Sequence, residues 1–226
     1  MLALKQALSL VSTKPISSTW TPTDESTLQA WYQNKVGIIL NGSDVNRWND
    51  SSTNGRDMVQ NTLSEQPAYD PTIGALTFDG ATKTNLETSS TMSGGSDFTL
   101  GIRIKPTSNN GTFLASNIVA NELFKISSSS TMTIKIDGNS GVLALDSGTW
   151  GDGYIVISRI SNTFSLSYNG VKQNFTTSIP GIIDIDAIGV RKTDANGFDG
   201  DIKEIQIYSS ASSTLTNRIN ARLSTL

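Results

Sequence analysis

The stretch Phe98-Thr-Leu-Gly-Ile-Arg-Ile-Lys-Pro106 decides the fold. Phe98, Leu100, Ile102 and Ile104 alternate with Thr99, Gly101, Arg103 and Lys105. A side-chain period of two is that of a β-strand with one face buried. Pro106 has no N–H to give a ladder and stops the run. Further along, Thr131-Met-Thr-Ile-Lys-Ile136 repeats the pattern and runs into Asp137-Gly138, with Val142-Leu-Ala-Leu145 after it. Asp-Gly suits a tight hairpin, whose two central residues need positive φ. Tyr154 to Ile160 is a more continuous apolar strand. Phe164, Leu166 and Tyr168 alternate with Ser165 and Ser167 and end at Asn169-Gly170, a turn of the same kind. Ile183 to Val190 and Ile202 to Tyr208 complete the series. Strands about every 8–12 residues, punctuated by Gly and Asn, predict an all-β, antiparallel two-sheet sandwich.

One helix closes the chain. Ser212 or Ser213 can cap it, and Leu215, Ile219 and Leu223 fall at i, i+4 and i+8. A short helical turn is expected from Pro22-Thr-Asp-Glu25, with Leu28, Trp31 and Tyr32 pointing inward. Residues 1–22 differ from the rest. Leu2, Leu4, Leu8 and Val11 are apolar, and a Ser/Thr/Pro stretch containing Trp20 follows. This segment reads as an N-terminal arm before a domain spanning 23–226. It either packs on its own domain or docks on a neighbouring subunit. Its apolar run is interrupted by Lys5 and Gln6 and lacks a small-residue cleavage site, which argues against a signal peptide. No apolar run reaches the length of a membrane span.

The 226 residues contain neither Cys nor His. That removes thiol nucleophiles, imidazole bases and the usual zinc sites. A formal net charge of −3 and no Lys/Arg cluster argue against nucleic acid and anionic membranes as partners. Ser (31) and Thr (26) make up a quarter of the chain, so the surface is hydrated mainly by neutral hydroxyls. Ser93-Gly94-Gly95-Ser96 lacks the Lys and helix of a phosphate loop.

Several segments, in order, resemble the laminin-G / concanavalin A-like lectin superfamily in its bacterial and phage form. They are Leu28-Gln-Ala-Trp31-Tyr32, Val45-Asn-Arg-Trp48-Asn-Asp50-Ser-Ser-Thr-Asn54-Gly55, Gln60, Gln66-Pro67-Ala68-Tyr69 and Leu76-Thr-Phe78-Asp79-Gly80. Tyr168-Asn169-Gly170 and Phe198-Asp-Gly200-Asp-Ile202-Lys-Glu204-Ile-Gln-Ile-Tyr208 continue the series. The similarity spans about residues 26–226. Ser52-Thr53 departs from the family's usual Ser-Gly. The resemblance implies a jelly roll with Trp31, Trp48, Phe78 and Tyr208 mostly in its core.

Three kinds of site follow as expectations. Laminarinase-type glucanases of this superfamily carry a Glu-x-Asp-x-x-Glu motif, which Asp199-Gly-Asp201-Ile-Lys-Glu204 approaches. A retaining mechanism needs two carboxyl groups about 5–5.5 Å apart, and in a regular strand Glu204 faces away from Asp201 unless a bulge intervenes. No catalytic set is therefore assigned. The family's loops often bind calcium, and Asp50, Asp57, Asp79, Asp194 and Asp199 are loop carboxylates of suitable chemistry. Against this, Asp commonly caps turns and no loop has dense Asp-x-Asp-x-Asp spacing, so the expectation is no cofactor, with calcium as the alternative. Sugar binding would use an aromatic beside amides and carboxylates: Trp150 and Asp152 in one loop, Asp194 and Asn196 in a second. The opposing reading puts Trp150 in the core.

The resemblance, the uninterrupted module and the apolar arm together lead to the expectation of a non-enzymatic structural protein of a tailed-phage virion. It would be a capsid decoration or accessory protein, made in the bacterial host cytoplasm and probed by its oligomeric state. Leu4, Leu8, Val11 and Trp20 would anchor it to other virion proteins or to further copies of itself. The alternative is a carbohydrate-binding module of a phage tail receptor-binding protein or bacterial adhesin, with glycans as partners.

Overall fold

The computed structural model describes residues 20–118, 123–174, 176–190 and 196–226. Seventeen strands occur among them: β1 (Leu28–Tyr32), β2 (Ile38–Asn41), β3 (Asp44–Trp48), β4 (Met58–Val59), β5 (Ala68–Asp70), β6 (Ala75–Phe78), β7 (Leu86–Gly95), β8 (Phe98–Pro106) and β9 (Gly111–Ala115), then β10 (Leu123–Ile126), β11 (Thr131–Ile136), β12 (Asn139–Ala144), β13 (Gly153–Ile160), β14 (Thr163–Tyr168), β15 (Val171–Lys172), β16 (Ile183–Ile188) and β17 (Gly200–Tyr208). A single helix, α1 (Ser213–Leu223), follows.

The strand pairs are antiparallel and form two layers. The first runs β15-β14-β13-β8-β17, and the far edge of β17 is shared by β6 at Gly200–Ile202 and β1 at Ile205–Tyr208. The second runs β12-β11-β10-β9-β16-β7-β4-β3-β2. β5 pairs with both β3 and β6 and joins the layers. The main core lies between them. Phe98 of the first layer meets Phe124 of the second edge to face at 6.2 Å, and Phe113, Met92, Ile185, Leu100 and Ile155 belong to the same cluster. The protein is an antiparallel β-sandwich with one short C-terminal helix, as its strand periodicity predicts.

The helix explains a departure from the half-buried pattern of β8. Ser212 accepts a hydrogen bond from Leu215 N and starts α1. Leu215, Ile219 and Leu223 then pack on Leu28, Trp31, Val156 and Tyr208, a second cluster on the outer face of the first sheet. β8 is thereby buried on both faces where the helix crosses. Gly101 permits the crossing, because a Cβ there would collide with Ile219. The two predicted hairpin turns form, with positive φ at Asp137, Gly138, Asn169 and Gly170. The expected helical turn at Pro22 is a single 3-10 turn, Pro22–Asp24. Leu28, Trp31 and Tyr32 belong to a strand. Tyr32 faces the main core, while Leu28 and Trp31 face α1.

Candidate functional site

The residues expected to bind sugar do not form an aromatic platform. Trp150 is only 8% exposed. Its indole N–H donates to Thr131 O at 3.2 Å and its ring packs against Tyr168 at 5.2 Å. Asp152 is 53% exposed and pairs with Arg103 at 2.8 Å. It borders a hollow of about 240 Å³ with Arg103, Lys105, Asp201 and Lys203. Asn196 lies apart from both. Its carbonyl accepts from Thr112 N and its side-chain oxygen from Asn110, which fastens one loop to another. Asp194 lies outside the described residues, as do the arm residues Leu4, Leu8 and Val11. Trp20, the described one of the four expected anchors, packs on its own domain. Its N–H donates to Glu25, and the Arg218 guanidinium stands 5.9 Å from its ring.

The carboxylates of the glucanase-like motif are held by structural partners. A β-bulge between Ile202 and Glu204 shifts the phase of β17, and this puts Glu204 on the same outer face as Asp201. Asp201 accepts from Thr77 Oγ1 at 2.8 Å and lies 3.8 Å from Lys105 Nζ. Glu204 is fully buried under α1. It accepts from Trp31 Nε1 (3.0 Å), Asn34 N (3.2 Å), Gln206 Nε2 (2.8 Å) and both Nε and a terminal nitrogen of Arg222. Its oxygens are committed to the fold. Three of the expected calcium carboxylates, Asp50, Asp57 and Asp79, are also engaged. Asp50 accepts from Trp31 N, Ser52 N, Ser52 Oγ and Arg56 N. Asp57 accepts from Asp50 N. Asp79 caps Ala81 N and Thr82 N, and these bonds hold its carboxyl below the usual range. Among the described residues no group of three or more Asp or Glu is arranged to hold a metal ion.

A different cleft gathers polar side chains without closing over them. It lies on the second sheet, has a volume of about 510 Å³ and is lined by Val59, Gln60, Asn61, Thr62, Glu87, Thr88, Ser89, Asn117, Ile118 and Asp186. Its floor is Asp186 of β16, which is 1% exposed. The alternation of Ile183-Asp-Ile-Asp186 turns both Asp184 and Asp186 away from the core. Asp186 accepts from the backbone N–H of Asn117 and from Ser116 Oγ at 3.2 Å. It thereby fixes the segment leaving β9. Burial pushes its carboxyl up from the usual range, and neighbouring Asp184 adds to the shift. Asn117 donates its side-chain amide to Glu87 Oε1 at 2.5 Å, so an amide and a carboxylate stand side by side in the wall.

The opposite wall is set from below. Gln60 donates to Asn85 (2.8 Å) and Glu65 (3.2 Å) and accepts from Thr62 N (2.9 Å). Asn46 and Gln66 both donate to its backbone carbonyl. This buried network holds the loop carrying Asn61 and Thr62, whose side chains are exposed at the rim. Ile118 is 56% exposed and gives the rim an apolar patch. Chemically the cleft offers carboxylate acceptors, an amide and hydroxyls around one aliphatic surface.

A second groove, about 290 Å³, runs between α1 and β13–β14. Several of its polar groups satisfy one another, Ser158 with Ser165 at 2.7 Å and Ser167 with Asn220 at 3.4 Å.

No protein-family model matches the chain, and no curated protein matches it. Solved structures do. Domain 4 of AbnA, a GH43 extracellular arabinanase from Geobacillus stearothermophilus solved in complex with arabinotriose, aligns with a TM-score of 0.51 at 18% identity, over 88% of this chain and 97% of that one. A GH54 α-L-arabinofuranosidase soaked with a cyclic sulfate inhibitor aligns with a TM-score of 0.57 at 11% identity, over 80% of this chain. The chain spans 50% of that enzyme's length. The CBM40 of Ruminococcus gnavus IT-sialidase, bound to α2,3-sialyllactose, aligns over 57% of this chain at 18% identity with a TM-score of 0.43. At these identities the first two matches establish a shared β-sandwich fold.

Proposed function

We propose that this protein is a non-catalytic carbohydrate-binding β-sandwich and that its sugar site is the cleft on the second sheet. One observation carries the reading: Glu87, Asn117 and the rim groups Asn61, Thr62 and Ser89 converge on a single open cleft. Its walls are held by Asp186 and the Gln60 network. A sugar presents adjacent hydroxyls that both donate and accept, and a carboxylate beside an amide meets them in pairs. Preorganised walls reduce the ordering cost of binding. The sandwich shared with the arabinanase domain solved with arabinotriose agrees with this reading. Nothing in the comparisons supports a virion role, and residues 1–19, on which that expectation leaned, lie outside the described structure.

The test is binding of the whole chain to a panel of immobilised oligosaccharides, repeated with Asn117→Ala and Glu87→Ala. Each variant removes a hydrogen-bonding group from the wall and is expected to weaken binding about tenfold or more. Retention of full affinity in both variants would place the sugar elsewhere. Absence of binding to every member would refute the reading.

A further inference from the structure

The hollow on the outer face of the first sheet gathers charges of both signs. Arg103 and Lys105 leave β8 on the side opposite Leu100, Ile102 and Ile104, which belong to the main core. Asp201 and Lys203 flank the inward-facing Ile202 of β17, and Asp152 stands just before β13. The bulge between Ile202 and Glu204 decides what two of these side chains meet. It sets Lys203 and Glu204 in succession on the outer side. Glu204 passes under α1 to Arg222, and Lys203 is left in the hollow.

These charges are not all spent on one another. Arg103 is largely buried and fixed in place. Its Nε donates to Leu226 O at 3.1 Å, and a terminal nitrogen meets Asp152 at 2.8 Å. Asp201 is held by Thr77 Oγ1, while Lys105 stands off from it at 3.8 Å, beyond hydrogen-bond reach. The Lys203 ammonium pairs with no described residue. Three cations thus face two carboxylates, in a chain whose formal net charge is −3. Positive charge in excess at one concave place attracts an anion.

From this arrangement we infer that the hollow binds a small hydroxy acid, its carboxylate on Lys203 and Lys105 and its hydroxyls on Asp152. Ammonium groups give charge-assisted hydrogen bonds to a carboxylate, and an exposed carboxylate accepts hydroxyl protons. A simple inorganic anion would meet only repulsion from Asp152 and Asp201. The volume of about 240 Å³ lies below the roughly 300–1,000 Å³ of pockets that enclose larger ligands, which limits the occupant to one small acid and excludes an oligosaccharide. The hollow is separate from the cleft on the second sheet, and neither reading depends on the other.

The experiment titrates the whole ¹⁵N-labelled chain with D-glucuronate, with D-glucose, which lacks the carboxylate, and with acetate, which lacks the hydroxyls. The expected result is saturable binding of glucuronate. Shifts should appear at the amide signals of Arg103, Asp152, Asp201 and Lys203, with Asn61 and Asn117 of the cleft silent. Glucose and acetate should bind at least about tenfold more weakly. Lys203→Met removes the unpaired cation and should weaken glucuronate about tenfold or more. Its unfolding midpoint should be unchanged, because the Lys203 ammonium holds no other element in place. Acetate binding as tightly as glucuronate would overturn the hydroxy-acid assignment. Glucose binding as tightly, glucuronate binding unaffected by Lys203→Met, shifts centred on the cleft, or no saturable shift at all would overturn the site.

Discussion

Two carboxylates are almost fully withdrawn from water on the outer faces of the two sheets, on opposite terms. Glu204, under α1, is neutralised by Arg222 and receives further donors from Trp31, Asn34 and Gln206. Arg222 in turn stacks over the Trp31 ring at 4.7 Å. Asp186, under the open cleft, receives only neutral donors from the segment beside it, and Asp184 adds like charge. A paired buried carboxylate holds an element in place. A buried carboxylate without a cation is costly to keep charged, and such costs collect at sites that do something beyond folding. The face covered by the helix is therefore the structural one, and the face left open is the candidate binding surface.

The comparison is most severely tested at Glu204. Glu204→Ala leaves the Arg222 guanidinium partly buried without its counter-ion, and the expected loss of stability is about 3–5 kcal/mol. Urea unfolding measures it. A loss below about 1 kcal/mol would mean that the pair does not fasten the helix. A third buried charge sharpens the point. Arg159 is fully buried and donates to the carbonyls of Gly95, Ser96, Ile179 and Gly181, between the rings of Phe98 and Phe164. It ties two loops to β13. Arg159→Met would strand those acceptors and is expected to cost about 3 kcal/mol.

Asp186 predicts a dependence on pH with a definite sign. Its folded carboxyl titrates above the ordinary value of 3.8. The folded state thus binds its proton more tightly than the unfolded chain does. Its contribution to stability is fully present below the unfolded value and is lost as pH rises through the raised folded value. Asp186→Asn should flatten this part of the stability profile. An unchanged slope across the acid range would show that Asp186 is not its source. The smallest effect is expected at the surface. Asp152→Asn breaks an exposed pair with Arg103 and should change stability by about 0.5 kcal/mol or less.

Much of the architecture was legible in local sequence. The alternation at Phe98–Pro106 and Thr131–Ile136, the Asp137-Gly138 and Asn169-Gly170 turns, and the Ser212 cap all act through neighbours in the chain. β9 and β10 were missed because Gly111–Ala115 is buried throughout and Leu123–Ile126 nearly so, which erases the alternation. For Trp150 the sequence leaves a sugar-facing and a core reading open, because an aromatic's type does not reveal which way its ring turns. That depended on Tyr168, eighteen residues on. The cleft was less legible still. Gln60, Glu87, Asn117 and Asp186 come from four separate segments that only β-sheet pairing brings together. The one local signal was the pair of acids at alternate positions in Ile183-Asp-Ile-Asp186, which a buried-strand reading passes over. The bulge that brings Glu204 to the same outer face as Asp201 could not be located from the sequence, and it is burial under α1 beside Arg222 that makes Glu204 a structural glutamate.

The most direct test of the account is a titration of the ¹⁵N-labelled protein with the tightest-binding oligosaccharide of the panel, followed residue by residue. The account predicts shifts confined to the amide signals of Asn61, Glu87, Ser89, Asn117 and Ile118 and their immediate neighbours, with Trp150, Asp152 and Asn196 unmoved. Shifts centred on the Asp152 loop or on the groove beside α1, with the cleft silent, would contradict it.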